Sequence, residues 1–250
     1  MSSLNNTLSI IYNNLYTFFE YKNLIPLEDK SNDTDFIKHI YNNEYFLINT
    51  ISKDLVKDDQ NMVTEIKDNL SNTNYKNTKN YKITYVILFH YNTEIYSKTQ
   101  DFKKILNTLN KTPFLYNIIF ITKNNISTHV NNFIKTINNK VDPRVKVSEV
   151  VCKTNHNICD CYKMNILTYT YKLFIIIIPK HILSNEHIIL SKAETKHLLT
   201  NILYCKAVNL PKIKINDPQI IWSPGKIGDV VSIKRHDDIS GLSLYYRVII

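Results

Sequence analysis

The chain is short of glycine. It has three in 250 residues, Gly225, Gly228 and Gly241, and none before position 225. Glycine opens backbone angles that side chains resist, so a glycine-rich phosphate cradle is excluded from everything before it. Basic runs are missing too: no five consecutive residues are lysine or arginine, which leaves no polybasic arm. The longest strongly apolar stretch, Leu173 to Ile178, is far too short to span a bilayer. No basic segment leads into an apolar block at the N-terminus, so no signal peptide is expected. The four cysteines, Cys152, Cys159, Cys161 and Cys205, are too few and too bunched for a secreted disulfide framework. A reducing intracellular compartment is the expectation.

What is present is ordinary in one respect: hydrophobic residues make up 44%, enough for a real core. The length allows two small domains or one large one. Asparagine, isoleucine, lysine and tyrosine abound, a bias that an A/T-rich genome would impose. Asparagine partly replaces glycine, since it tolerates the left-handed turn conformation. Net charge is +9 and the isoelectric point about 9.2. That balance favours acidic partners such as nucleic acid, against the plainer reading of a basic solvated surface.

Leu4, Leu8, Ile11, Tyr12, Leu15, Phe18 and Phe19 have the spacing of an amphipathic helix, and Pro26 lies just beyond its end. A second helix is predicted over Asp33 to Tyr41, and a loop over the polar stretch 68–80. Then the pattern alternates. Ile83 to Phe89 and Asn117 to Thr122 read as buried strands, as do Val145 to Val151 and Tyr171 to Ile178. Helices are predicted over Lys98 to Leu109 and over Ile126 to Ile137, the latter with Val130, Phe133, Ile134 and Ile137 inward. The alternation predicts an α/β layer, mostly parallel, over residues 1–170.

Residues 171–250 read as a second, compact α+β domain, beginning in earnest near Pro179. Ser191 and Glu194 form a capping box with Leu198, Leu199 and Ile202 as the apolar stripe behind it. A strand is predicted over Leu210 to Ile215, a turn or helix start at Asp217-Pro218, a strand from Asp229 to Lys234 opened by Gly228, a turn to Gly241, and a last strand from Leu244 to Ile250.

The ordered motifs of this tail carry a resemblance. His181-x-Leu183-x-x-Glu186-His187, then Leu210-Pro211-Lys212-Ile213, then Asp217-Pro218, Gly228, Val230-Val231, Ile233 and Arg235, then Gly241 and Tyr246-Arg247-Val248 resemble the assembly domain of the fifth-largest shared subunit of eukaryotic RNA polymerases, a family with an archaeal branch. Each motif alone is weak; the ordered set is not. The chain departs from the pattern at Asn185, where the family has proline, at Trp222, where it has tyrosine or phenylalanine, and at Pro224, with glycine one position later. One extra residue precedes Leu210. The departures suggest a diverged member, from a large DNA virus or an A/T-rich protist.

The resemblance implies a noncatalytic subunit of DNA-directed RNA polymerase that needs no cofactor. It implies an assembly domain that docks on the largest subunit, and a jaw-like N-terminal domain near downstream duplex DNA. It implies work in the nucleus if the source is cellular, or in a cytoplasmic viral factory or virion if it is viral. His181, Glu186, His187, Leu210, Pro211, Asp217, Pro218, Gly228, Arg235, Gly241, Tyr246 and Arg247 are then structural or interface residues. Asp217 would cap a helix whose first turn holds Pro218. Gly228 and Gly241 would take turn conformations, and Arg235 and Arg247 would pair with a partner's carboxylates or lie solvated. Lys103, Lys104, Lys123 and Lys135 are the basic candidates for DNA.

Other constellations compete. Cys152, His156, Cys159 and Cys161 place four soft ligands within ten residues, which zinc favours; the spacing lacks the usual Cys-x2-Cys knuckles and reads better as an insertion with reduced thiols. Asp101-x-Lys103 is a fragment of the restriction-nuclease pattern, but it sits in a predicted helix with no acidic partner on the strand before it, where a solvated face is the better reading. A stand-alone nuclease-like enzyme and a free-standing DNA-binding protein are the alternatives.

Overall fold

The computed structural model describes residues 2–43, 45–53, 82–89, 115–139, 165–237 and 241–250. They fall into two compact units, 1–12 with 24–172 and 13–23 with 173–250. The break after residue 172 lies two residues from the boundary read in the sequence. Residues 13–23, expected in the N-terminal domain, group instead with the C-terminal unit. The predicted loop at 68–80, helix at 98–109 and strand at 145–151 lie outside the described residues.

The opening helix α1 covers Ser2–Tyr21. Asn23 follows at φ 54, the left-handed role that asparagine takes where glycine is scarce. The chain then forms β1 (Leu24–Pro26), α2 (Asp33–Asn43), β2 (Tyr45–Ser52), β3 (Lys82–Phe89), β4 (Leu115–Thr122), α3 (Thr128–Asn139) and β5 (Asn165–Thr170). These five strands make one sheet in the order β1-β2-β3-β4-β5. It is mixed, not mostly parallel. β3 pairs β4 and β4 pairs β5 in parallel, while β1–β2 and β2–β3 are antiparallel. Neither β1 nor β2 was expected from the sequence. Asn49, Thr50 and Ser52 interrupt the apolar pattern of β2, and β1 is an edge strand, the place where Pro26 is tolerated.

The central strands carry this unit's core. Ile83 to Phe89 is buried throughout, as befits a strand covered on both faces. Val130 and Ile134 of α3 join Ile87, Phe89, Ile118 and Phe120, with Phe133 and Ile137 half-buried beside them. Asn138 clamps the start of β5: its Nδ2 donates to the Ile166 carbonyl at 2.9 Å and its Oδ1 accepts the Ile166 N–H at 2.9 Å. Tyr12, stacked on Phe36 with ring centroids 4.1 Å apart, fixes the first part of α1 against α2.

The second unit contains α4 (Lys172–Ile175), a 3-10 turn at Ile178–Lys180, β6 (Glu186–Ile189), α5 (Lys192–His197), β7 (Lys212–Ile213), α6 (Pro218–Trp222), β8 (Val230–Asp237) and β9 (Gly241–Ile249). The predicted strand over 171–178 is therefore wrong: the strand is β5 just before it, and the isoleucine run begins as a helical turn. An apolar run this short does not distinguish the two periods. The helical form is held by side chains. Asn14 Nδ2 donates to the carbonyls of Phe174 and Ile175 at 2.7 and 3.1 Å, and the Trp222 indole N–H donates to the Leu173 carbonyl at 3.3 Å. Phe174 is buried while Ile175 and Ile176 are exposed. Trp222 is fully buried among Phe18, Phe174 and Tyr21, with ring centroids 5.5, 5.9 and 6.1 Å away.

Candidate functional site

The four strands of the C-terminal unit run in the order β6-β8-β9-β7. β8 is antiparallel to both β6 and β9, and β7 lies parallel to the end of β9. Side chains alternate across such a sheet, so each face collects its own cluster. On one face Val231, Ile233, Ile213 and Ile249 pack with Ile220 of α6. On the other Val230, Val248 and Leu210 pack with Leu198, beside half-buried Leu190, Leu199 and Tyr246.

The residues singled out by sequence divide between these roles. Leu210 is buried in the second cluster, and Tyr246 packs at its side. The Pro211 carbonyl accepts the Val248 N–H at 2.9 Å. Asp217 caps α6 by accepting the Gln219 N–H at 3.0 Å, with Pro218 at the first helical position. Gly228 and Gly241 have φ of 95° and 69°, and the Gly228 N–H reaches the Ile249 carbonyl at 2.9 Å. These residues build the module.

The polar candidates do not converge. His181 sits in an exposed turn, where its Nδ1 accepts the Leu183 N–H at 3.2 Å. His187 Nδ1 meets the Asn185 carbonyl at 2.8 Å, so that nitrogen donates. Glu186 pairs across the sheet with Lys234 at 2.8 Å. Arg235 lies over the Tyr245 ring, 4.9 Å from its centroid. Arg247, opposite Val231 in the ladder, shares a face with Arg235 and Tyr245.

The capping box forms as predicted. The Ser191 hydroxyl accepts the Glu194 N–H at 3.2 Å and the Glu194 carboxylate accepts the Ser191 N–H at 2.8 Å. The Ser191 side chain first, and its backbone N–H second, hold the Glu194 carboxyl below the usual range. The stripe behind the box is only partly as predicted, because Ile202 is exposed. Leu198–Ile202 is a π-turn, closed by Leu203 N–H to the Leu198 carbonyl at 2.9 Å. The wider turn takes up one more residue than an α-turn, where the sequence has one extra before Leu210, and it rotates Ile202 outward.

A groove of about 440 Å³ runs between this turn and the sheet, lined among others by Ala193, His197, Ile202, Ser232 and Tyr246. Nothing in the sequence announces it, since its lining comes from three separated segments with no shared motif. Cys152, His156, Cys159 and Cys161, together with Asp101, Lys103 and Lys104, lie outside the described residues. Among the described residues no cluster of three metal-ligating side chains occurs, and no helix is long and apolar enough to cross a membrane. Of the remaining basic candidates, Lys135 is exposed on α3 and Lys123 is half-buried. His39 packs edge-on against Phe46 at 5.2 Å, a structural role.

Comparison with known proteins supports the tail motifs. The family described as RNA polymerase Rpb5, C-terminal domain, matches residues 176–249. The DNA-directed RNA polymerase subunit Rpo5 of Nitrosopumilus maritimus is 39% identical over 75 residues, which are 30% of this chain and 89% of that protein. The Rpo5 subunit of Pyrococcus abyssi is 42% identical over 71 residues, 28% of this chain and 85% of that one. The DNA-directed RNA polymerase RPB5 homolog of African swine fever virus, from a tick isolate of Malawi, is 25% identical over 240 residues, covering 96% of this chain and 95% of its own. That similarity extends through the N-terminal unit.

Proposed function

The chain belongs to the Rpb5 family of DNA-directed RNA polymerase subunits, and on that premise we propose that it is a noncatalytic subunit whose C-terminal unit docks on the largest subunit while its N-terminal unit forms a jaw beside downstream duplex DNA.

One observation carries the docking half. Among the described residues sixteen large hydrophobic side chains are exposed, and fourteen of them lie between Ile175 and Ile250, leaving only Ile10 and Tyr41 elsewhere. The extremes are Ile182 and Leu183 at the exposed turn, and Tyr204 and Val208 after the π-turn. Adjacent exposed apolar residues, such as Ile182 with Leu183 and Leu203 with Tyr204, are the kind of surface that an interaction face uses. Twelve of the fourteen fall within the stretch that the family match covers.

The jaw half rests on charge. Residues 1–170 carry 20 Lys and Arg against 16 Asp and Glu, +4 of the chain's +9, and a net positive body suits a place beside duplex DNA, where phosphate attraction is nonspecific and falls with salt. Nucleotide addition would belong to other subunits. The site of action would be the nucleus for a cellular source, and a viral factory or virion for a viral one.

Co-purification tests the assignment. The full chain, tagged and expressed with the polymerase subunits of its own source, should retain the largest subunit. Replacing Ile182 and Leu183 together by serine should reduce that retention while leaving the fold intact, because both side chains are almost wholly solvent-exposed. If the largest subunit is never retained, the docking reading fails.

A further inference from the structure

The outer edge of β9 is unpaired along most of its length among the described residues. β9 runs from Gly241 to Ile249, but β7 pairs with it only at Val248 and Ile249. Hydrogen-bond directions follow from the ladder. Val248 N–H points outward to the Pro211 carbonyl, and Ile249 N–H points inward to the Asp229 carbonyl. The direction alternates in an antiparallel pair, so the N–H and C=O groups of Leu242, Leu244 and Tyr246 also point outward. No other described strand pairs with them there.

Natural sheets guard such an edge with charge, proline or a bulge. This one presents apolar side chains. Leu242 and Leu244 are 56% and 50% exposed, and they share the face of Tyr246, all three in register with Val248. The opposite face carries Tyr245 and Arg247 on β9 itself, with Arg235 beside them on β8. Arg235 stacks on Tyr245, Arg247 stands two residues along β9, and neither has a carboxylate partner among the described residues.

We propose that the β9 edge between Leu242 and Tyr246 takes up, as an added strand, an extended segment of another polymerase subunit in which apolar residues alternate with acidic ones. The alternation follows from the pleat. Every second residue of the incoming segment faces Leu242, Leu244 and Tyr246, and the residues between face Arg235 and Arg247. Main-chain bonds supply affinity and the alternating side chains supply selectivity, as in other strand additions. The inference rests on the docking reading and names how one docking contact is made.

Residue-resolved hydrogen exchange on the full chain, free and in the assembled polymerase, tests it. In the free chain the outward amides of Leu242, Leu244 and Tyr246 should exchange fast, while the inward amides of Ser243, Tyr245 and Arg247 are protected by β8. In the polymerase the three outward amides should slow by about a hundredfold or more. A second arm uses Arg235→Glu with Arg247→Glu, which should lower incorporation by about tenfold or more with Trp222 emission unchanged. If the chain is retained in the polymerase and the three amides exchange as in the free chain, the edge inference is overturned and docking stands. If it is not retained at all, both fail. Slowing that appears in the free chain as its concentration rises would assign the edge to a second copy, and slowing on addition of duplex DNA alone would assign it to nucleic acid; either result overturns the proposal.

Discussion

Phe18 lies near the start of the chain yet packs in the C-terminal unit, and its removal tests that placement. The ring is fully buried. Its centroid is 5.5 Å from Trp222 and 5.1 Å from Phe174, both edge-to-face. A phenylalanine ring buries about 200 Å², which at about 25 cal/mol per Å² is about 5 kcal/mol of transfer free energy. Alanine still buries about a third of that area, and the cavity left behind restores part of the difference, so Phe18→Ala should cost about 4 kcal/mol. Against a total of roughly 5–15 kcal/mol for a small domain this is a large fraction. Trp222 is the only tryptophan, so its emission reports this core alone. With a urea slope of about 2 kcal/mol per molar, the Trp222-reported midpoint should fall by about 2 M. Phe18→Leu, which keeps most of the apolar volume, should cost about 1–2 kcal/mol. A midpoint unchanged by Phe18→Ala would show that residues 13–23 do not belong to this core.

Two further outcomes follow from the same unit. A Cβ on Gly225 would stand 2.6 Å from Ile249 Cδ1 and 2.8 Å from Ile189 Cδ1, so Gly225→Ala should cost about 1–3 kcal/mol by overpacking; adding Ile249→Val, which removes one of those methyls, should restore part of it, and additive losses in thermal unfolding would refute the clash. Lys22 is lowered by burial from 10.5 to about 8. Between those values the unfolded chain binds more protons than the folded one, so stability should rise as pH climbs from about 8 toward 10.5. Lys22→Met should abolish that rise, and parallel stability curves for the two proteins would refute the assignment.

Legibility in the sequence followed the strength of local signals. Capping at Ser191 and Asp217 and the turns at Gly228 and Gly241 were readable because each depends on one or two residues with a specific backbone job. The strands β3 and β4 were readable because burial on both faces leaves an unbroken apolar run. β2 was not, since its partly exposed strand mixes polar residues into the pattern. The isoleucine run after Tyr171 misled because its helical turn is set by Asn14 and Trp222, residues far away in sequence. The open β9 edge could not be read at all. It depends on the chain before β7: β7 runs parallel to β9, so the residues that would cover Leu242 to Tyr246 are those just before Lys212, and nothing in the sequence announces that they form a 3-10 turn at Ala207–Asn209 instead.

The second half of α1 and the single tryptophan depend on each other. The family resemblance places a smaller aromatic at the position of Trp222, and the archaeal relatives are short enough to consist almost wholly of the matched stretch. In this chain Phe18 and Tyr21 meet the indole, Asn14 holds the carbonyls of α4 beneath it, and Phe174 completes the surround. A ring as large as indole stays fully buried only if something covers it, and here the cover comes from residues 13–23. A fragment beginning at Pro179 would lack Phe18, Tyr21 and Phe174, and would expose Trp222. Its failure to bind a polymerase would then report a damaged core, not an absent docking surface. For that reason both binding experiments require the full chain, and the Phe18 variants mark how much lost binding an injured core can account for.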